Sequence, residues 1–181
     1  MQLDDNIINC FCLLVQDVAK NNELNIQIFE TFVSEQLILN GKVAKGFTKW
    51  AVAIKVWKTD VWLLPVHIRQ RQHWTMLIVN LNHKCFLYIN SLRQEPPNLL
   101  MDGIVAFIDH HCRPHREIRW EEWKLFAPID IPDQTNSSSG TANNCGTHIL
   151  TWTYSIATSS FTSFDEDDMP YCRMGIAPLL I

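Results

Sequence analysis

The chain has 181 residues, 47% of them hydrophobic and 19% charged, with a formal net charge of −4. That length holds one domain with a substantial core and is short for two, and the composition excludes disordered and fibrous classes. The acidic balance argues against a nucleic-acid partner, whose phosphates need a basic surface, and no apolar run is long enough to span a bilayer.

Taken in chain order, Asp4 or Asp5 is placed to cap a first helix, in which Ile7, Ile8, Phe11, Leu14, Val15 and Val18 recur at helical spacing before Asn21-Asn22 ends it. A second helix is predicted over 30–39, closed by Asn40-Gly41, and a third over 42–50. The lysines between 42 and 58 read as a solvated face. The period then changes. VWLLPVH (61–67), HWTMLIVNL (73–81) and KCFLYIN (84–90) are apolar on both faces, as central strands of a covered sheet should be. The polar pair Asn82-His83 makes the last two an antiparallel hairpin, with His73 opposite a residue at 90–92 and beside Asn90.

After Pro96-Pro97, residues 99–110 read as a helix with Leu100, Ile104, Phe107 and Ile108 inward. His110, His111, Cys112 and His115 crowd one helix end without a second half-site, so neither a metal nor another cofactor is expected. One further strand is predicted over 123–129. The acidic run 165–168 reads as solvated and as the start of a short terminal helix. No internal repeat or interdomain linker interrupts the chain.

Ten polar or small residues, 135–144, lead into Cys145-Gly146 and the apolar residues Ile149, Leu150, Trp152, Tyr154 and Ile156. A thiol in the first turn of a buried helix faces the positive end of the peptide dipoles, which predicts a lowered pKa and a candidate nucleophile. The competing reading is a small buried cysteine. The other cysteines, at 10, 12, 85, 112 and 172, form no CxxC pair or framework. Without a signal-peptide pattern they suggest a reducing compartment, nucleus or cytosol.

Thiol hydrolysis of an acyl bond needs a thiolate, an imidazole to share its proton, a group that accepts from the imidazole's other nitrogen, and donors for the oxyanion. Cys145 and His73 supply the first two, Asn90 is placed to accept the His73 Nδ1 proton, and Gln134 lies where a side-chain amide can help hold the oxyanion.

LDDNIIN (3–9), LLPVHI followed by HW (63–74), YINSL (88–92), IPDQ (131–134), NCG (144–146) and MPYCR (169–173) resemble the successive motifs of the Ulp/sentrin-specific cysteine proteases. The resemblance implies one α+β domain over 1–181 with the papain-like fold: a mixed central sheet flanked by helices, with the nucleophile at a helix N-terminus. It implies Cys145 as nucleophile, His73 as base, Asn90 as the third member and Gln134 at the oxyanion. Trp74 matches the aromatic wall of a narrow tunnel for the substrate's C-terminal Gly-Gly, Asp5 an acidic residue that touches SUMO, and Gly146 joins them in binding substrate. The implied activity is cleavage after the Gly-Gly of SUMO or a related ubiquitin-like modifier. The implied partners are that modifier and its conjugates, met by a monomer without nucleic acid or membrane.

Three departures from the family pattern stand out. The third member, normally aspartate, is Asn90, and the tryptophan expected before the first block is Gln2. Gln134 and Cys145 are 11 positions apart, roughly twice the usual interval. The family's N-terminal segment is expected to be lacking. These departures motivate a second reading, a SUMO-binding module that no longer cleaves. Acyl transfer by the same Cys-His pair, as in some bacterial relatives, ranks last.

Overall fold

The computed structural model describes residues 3–40, 45–134, 143–160 and 163–180. Helix α1 (Asp5–Asn21) starts where Asp4 Oδ1 accepts the Ile7 N–H at 3.0 Å. It buries Ile8, Phe11, Cys12, Val15 and Ala19, while Leu14, predicted inward, is exposed. Strand β1 (Ile26–Ile28) follows; it is too short for its alternation to be read from sequence. Gln16 on α1 covers its edge, donating to the Ile26 carbonyl and accepting the Ile28 N–H. Helices α2 (Thr31–Asn40) and α3 (Lys45–Ala53) come next; the predicted α3 start at 42 lies outside the described residues.

The centre of the sheet is β2 (Val61–Ile68), β3 (His73–Asn80) and β4 (Cys85–Ile89), joined antiparallel. Met76 pairs with Ile89 and Leu77 with Tyr88, the register that the short turn predicts. Parallel β1 pairs with β2 at one edge, and parallel β5 (Lys124–Phe126), shorter than the predicted strand, pairs with β4 at the other. The result is a mixed five-stranded sheet in the order β1-β2-β3-β4-β5.

Side-chain alternation sends the strands into two cores. Trp62, Leu64, Val66, Leu77, Val79, Phe86 and Tyr88 meet α2 and α4 (Asn98–His111) on one face. Leu63, Trp74, Met76, Ile78 and Ile89 meet α1 and α5 (Cys145–Ala157) on the other. Burial of each large apolar side chain contributes about 1.5–3 kcal/mol, so two continuous cores fix the sheet between its helices. Helix α4 approaches α2 closely at Gly103, where a Cβ would lie 2.7 Å from the Leu37 carbonyl oxygen. The last helix, α6 (Met169–Ile176), packs on α5. No helix among the described residues is long and apolar enough to cross a membrane.

Candidate active site

His73 opens β3 and Asn90 directly follows β4, so the hairpin that pairs these strands delivers both side chains to one end of the sheet. His73 Nε2 and Asn90 Oδ1 are 2.8 Å apart, with both residues buried. Asn90 Oδ1 also accepts the Leu92 N–H at 2.9 Å, and its Nδ2 donates to the Gln94 carbonyl at 3.1 Å. These contacts settle which end of the amide faces the ring. An amide oxygen accepts only, so Nε2 carries the proton and Nδ1 keeps the lone pair a base requires. The ring is thus turned opposite to the expected Nδ1 contact, because pairing order places the residues but not the rotation of the imidazole.

Cys145 begins α5, and the backbone N–H groups of Trp74, Gly146 and Cys145 itself act on its thiol to lower its pKa. The Trp74 N–H belongs to the peptide that joins His73 to Trp74, so the helix tip is docked at the base end of β3. Helix α5 is held along the same strand, where Thr153 Oγ1 lies 3.5 Å from Met76 Sδ.

The pKa predicted for Cys145 is corrected. Burial, the largest effect, pushes the thiol above its ordinary value, and the three amides and the Arg173 charge pull it down without overcoming this. The sulfur lies too deep for a few dipoles to replace its hydration. His73 moves below its ordinary value, chiefly through burial and against the Asn90 hydrogen bond, which raises it; charges on His148, Arg71 and His67 lower it further. Both shifts favour a neutral thiol and a neutral imidazole rather than an ion pair.

Gln134 is buried and tied to the residue after Asn90. Its Oε1 accepts from Ser91 Oγ at 2.9 Å, and its backbone N–H donates to the Ser91 carbonyl at 3.2 Å. Arg93 extends the tie through Asp133 at 3.4 Å and the Ile131 carbonyl at 3.5 Å. The IPDQ and YINSL blocks therefore form one clamp, with the amide nitrogen as the donating end of the Gln134 side chain. The long loop expected to aim that end, 135–142, and Gln2 lie outside the described residues.

The three residues assigned to substrate by resemblance sit around Leu3. Trp74 is only 1% exposed: its indole N–H donates to the Leu3 carbonyl at 2.9 Å, and its ring stacks on His67 at 4.3 Å. Gly146 also faces Leu3, where a Cβ would lie 3.0 Å from Leu3 Cβ, so a side chain at 146 would push Leu3 away. Asp5 is exposed in the first turn of α1, and its charge raises the pKa of His67 against the larger lowering by burial. Leu3 thus covers the Trp74 wall and Gly146, the residues for which the resemblance implied a narrow tunnel.

Sequence reading missed a buried group beside the nucleophile. His148, one turn along α5, bonds Glu166 Oε2 at 2.5 Å, and Glu166 Oε1 accepts from Asn144 Nδ2 at 2.6 Å. Glu166 belongs to the acidic run read as solvated, yet it is 6% exposed. A histidine spaced three positions from the cysteine on a buried helix was the available signal, because such a ring requires a polar partner. The His110–His115 cluster is instead engaged in packing. The His111 ring lies 4.5 Å from Phe107, His115 stacks on Trp57 at 4.1 Å, and burial takes the Cys112 thiol up to about 12.

Sentrin-specific protease 2 of Homo sapiens is 24% identical over 176 residues, covering 94% of this chain; the chain spans only 28% of that relative's length. Among solved structures, the C-terminal Ulp1 protease domain in complex with Smt3, the yeast ortholog of SUMO, superposes with a TM-score of 0.74 at 24% identity, covering 99% of this chain and 76% of that one. The Chaetomium thermophilum Ulp1-like SUMO protease catalytic domain gives 0.78 at 18% identity, covering 99% and 72%. These likenesses establish the α+β architecture, and the helix-tip cysteine and strand-end histidine occupy a fold that such proteases share. The family model described as the Ulp1 protease family, C-terminal catalytic domain, matches residues 1–180, and the chain belongs to that family.

Proposed function

We propose that this domain is a thiol protease that hydrolyses the peptide or isopeptide bond after the C-terminal Gly-Gly of SUMO or a related ubiquitin-like modifier. The observation that carries the reading is the orientation of His73. Its Nε2–H is held by Asn90 at 2.8 Å, leaving Nδ1 as the basic nitrogen at the end of β3 where the Cys145 sulfur is docked.

The reaction starts from the neutral pair. As the sulfur attacks the glycine carbonyl, its proton passes to His73 Nδ1, and Asn90 holds the ring throughout. The carbonyl oxygen becomes negative among backbone N–H groups at the tip of α5, with the Gln134 amide as a further donor; fixed donors of this kind stabilise charge as it forms. His73 then returns the proton to the departing lysine amine. Water, deprotonated by His73, attacks the thioester and releases the modifier with a free carboxylate. A glycine tail suits this approach, since it has no Cβ to clash beside Leu3 and Trp74. The modifier and its conjugates are the proposed partners, and a reducing nuclear or cytoplasmic compartment is the proposed setting.

The test is incubation of the purified domain with a SUMO-conjugated lysine peptide and with a SUMO precursor. Release of SUMO ending in Gly-Gly, abolished by Cys145→Ala in a protein that still folds, is the expected result. Binding of mature SUMO without any turnover would instead establish the binding-only reading. Neither binding nor turnover by a folded chain would overturn both.

A further inference from the structure

Helix N-termini are commonly closed by the side chain of the residue before the first turn, and asparagine is among the strongest such caps. Asn144 occupies that position on α5 but makes no side-chain capping bond, and its backbone is helical (φ −99°, ψ −3°) rather than extended. Its side chain is drawn into tertiary contacts. Nδ2 donates to Glu166 Oε1 at 2.6 Å, and Oδ1 accepts from Arg173 at 3.2 Å. Arg173 also donates to the Asn143 carbonyl at 3.1 Å. Glu166 is secured in turn by His148 Nε2, one turn along the same helix, and both are nearly inaccessible to solvent. A cap at Asn144 would bond the second or third helical amide, Gly146 or Thr147, and the Gly146 amide is one of those that lower the Cys145 pKa.

We infer that Glu166 and Arg173 are positioning residues that hold the Asn144 side chain off its own helix, reserving the amides at the tip of α5 for the Cys145 sulfur and the oxyanion. This deepens the proposed hydrolase reading by naming what keeps its donors available. The geometry is economical. Asn144 and His148 are four positions apart and so share one face of α5, which lets a single carboxylate grip both. The titratable and charged groups around that carboxylate come from several elements: His148 on α5, whose pKa burial lowers, Arg173 on α6 through Asn144, and Asp133 in the IPDQ block, which acts on His148. Buried and bonded on both oxygens, Glu166 resists displacement in a way that a solvated acid would not.

The test is the rate at which iodoacetamide alkylates Cys145, followed by peptide mass mapping so that the other cysteines are scored separately. This readout needs no SUMO and remains informative if the domain turns nothing over. Glu166→Ala releases Asn144 to cap the helix and compete for the amides. Loss of about one charge-assisted hydrogen bond to the thiolate lowers the alkylation rate roughly tenfold. Adding Asn144→Ala removes the competing cap and restores much of that rate. Arg173→Ala, which leaves the His148–Glu166 pair in place, repeats the experiment should Glu166→Ala not fold; it slows alkylation, and Asn144→Ala again relieves part of the loss. A merely structural role makes each double variant as slow as its parent or slower. That result, or wild-type alkylation in the single variants, overturns the inference.

Discussion

Replacing Asn90 with aspartate tests the base most sharply, because it changes one atom and leaves the ring's neighbour in place. The new carboxylate oxygen would stand where Oδ1 lies, 2.8 Å from His73 Nε2. At an effective dielectric near 20, its attraction for an imidazolium centred about 4 Å away is about 4 kcal/mol. Two costs oppose this. The Nδ2 donation to the Gln94 carbonyl at 3.1 Å is replaced by two facing oxygens, costing about 1–2 kcal/mol. A charge is also placed at a site that is 4% exposed, although the Leu92 N–H at 2.9 Å remains to solvate it. The net transition-state gain is about 1.5–3 kcal/mol, or roughly 10- to 100-fold in kcat. This is smaller than the roughly 10⁴-fold effect of the converse change in a serine triad. The assay is turnover of a fluorogenic SUMO substrate, with the His73 pKa followed by NMR and folding checked by thermal melting. A raised His73 pKa without a gain in kcat would refute the assignment of His73 as base. An unmoved His73 pKa would refute the contact itself.

The His73 pKa is lowered from its ordinary 6.5, and the base must be neutral to act, so kcat/KM should rise with pH through a midpoint below 6.5; a midpoint above it would contradict the tautomer and burial described. Gln134→Ala removes one oxyanion donor and should lower kcat by about 10²-fold with little change in KM, since such donors act on the developing charge. Gly103→Ala drives a Cβ to 2.7 Å from the Leu37 carbonyl and should destabilise the fold by about 1–3 kcal/mol in urea titrations, with activity per folded molecule preserved. Burial takes His111 down to about 4, so its contribution is fully present above about pH 6.5 and is lost as pH falls toward 4. Discounted for solvent screening, that loss is worth on the order of 1–2 kcal/mol, and His111→Leu should flatten this part of the stability profile.

The parts of the fold legible in the sequence are those set by local period. The paired strands around Asn82-His83 could be placed in register because a short turn leaves few pairings, and that register brought His73 beside Asn90. Helix α4 was equally plain, with Leu100, Ile104, Phe107 and Ile108 all buried on the predicted face. Strand β1 escaped because three residues carry no period, and its edge is satisfied by Gln16 from a distant helix.

At the site, residue types were legible and their electrostatics were not. The protonated nitrogen of His73 depends on how Asn90 is fixed by Leu92 and Gln94, which is a matter of side-chain rotation. The Cys145 pKa depends on how much of the molecule covers it, and local helix position alone gave the wrong direction. Glu166 looked solvated among three aspartates, and only the arrival of α5 with His148 and Asn144 gives it buried partners. The covering of Trp74 by Leu3 depends on contact between segments 71 positions apart.

The central claim is that Cys145 attacks the terminal glycine of a Gly-Gly modifier. Its most direct measurement is reaction of the domain with SUMO carrying a vinyl sulfone at its C-terminus, followed by mass mapping of the adduct. One covalent adduct is expected, located on Cys145 and lost on His73→Ala as well as Cys145→Ala. An adduct on another cysteine, or none in a folded chain, would contradict it.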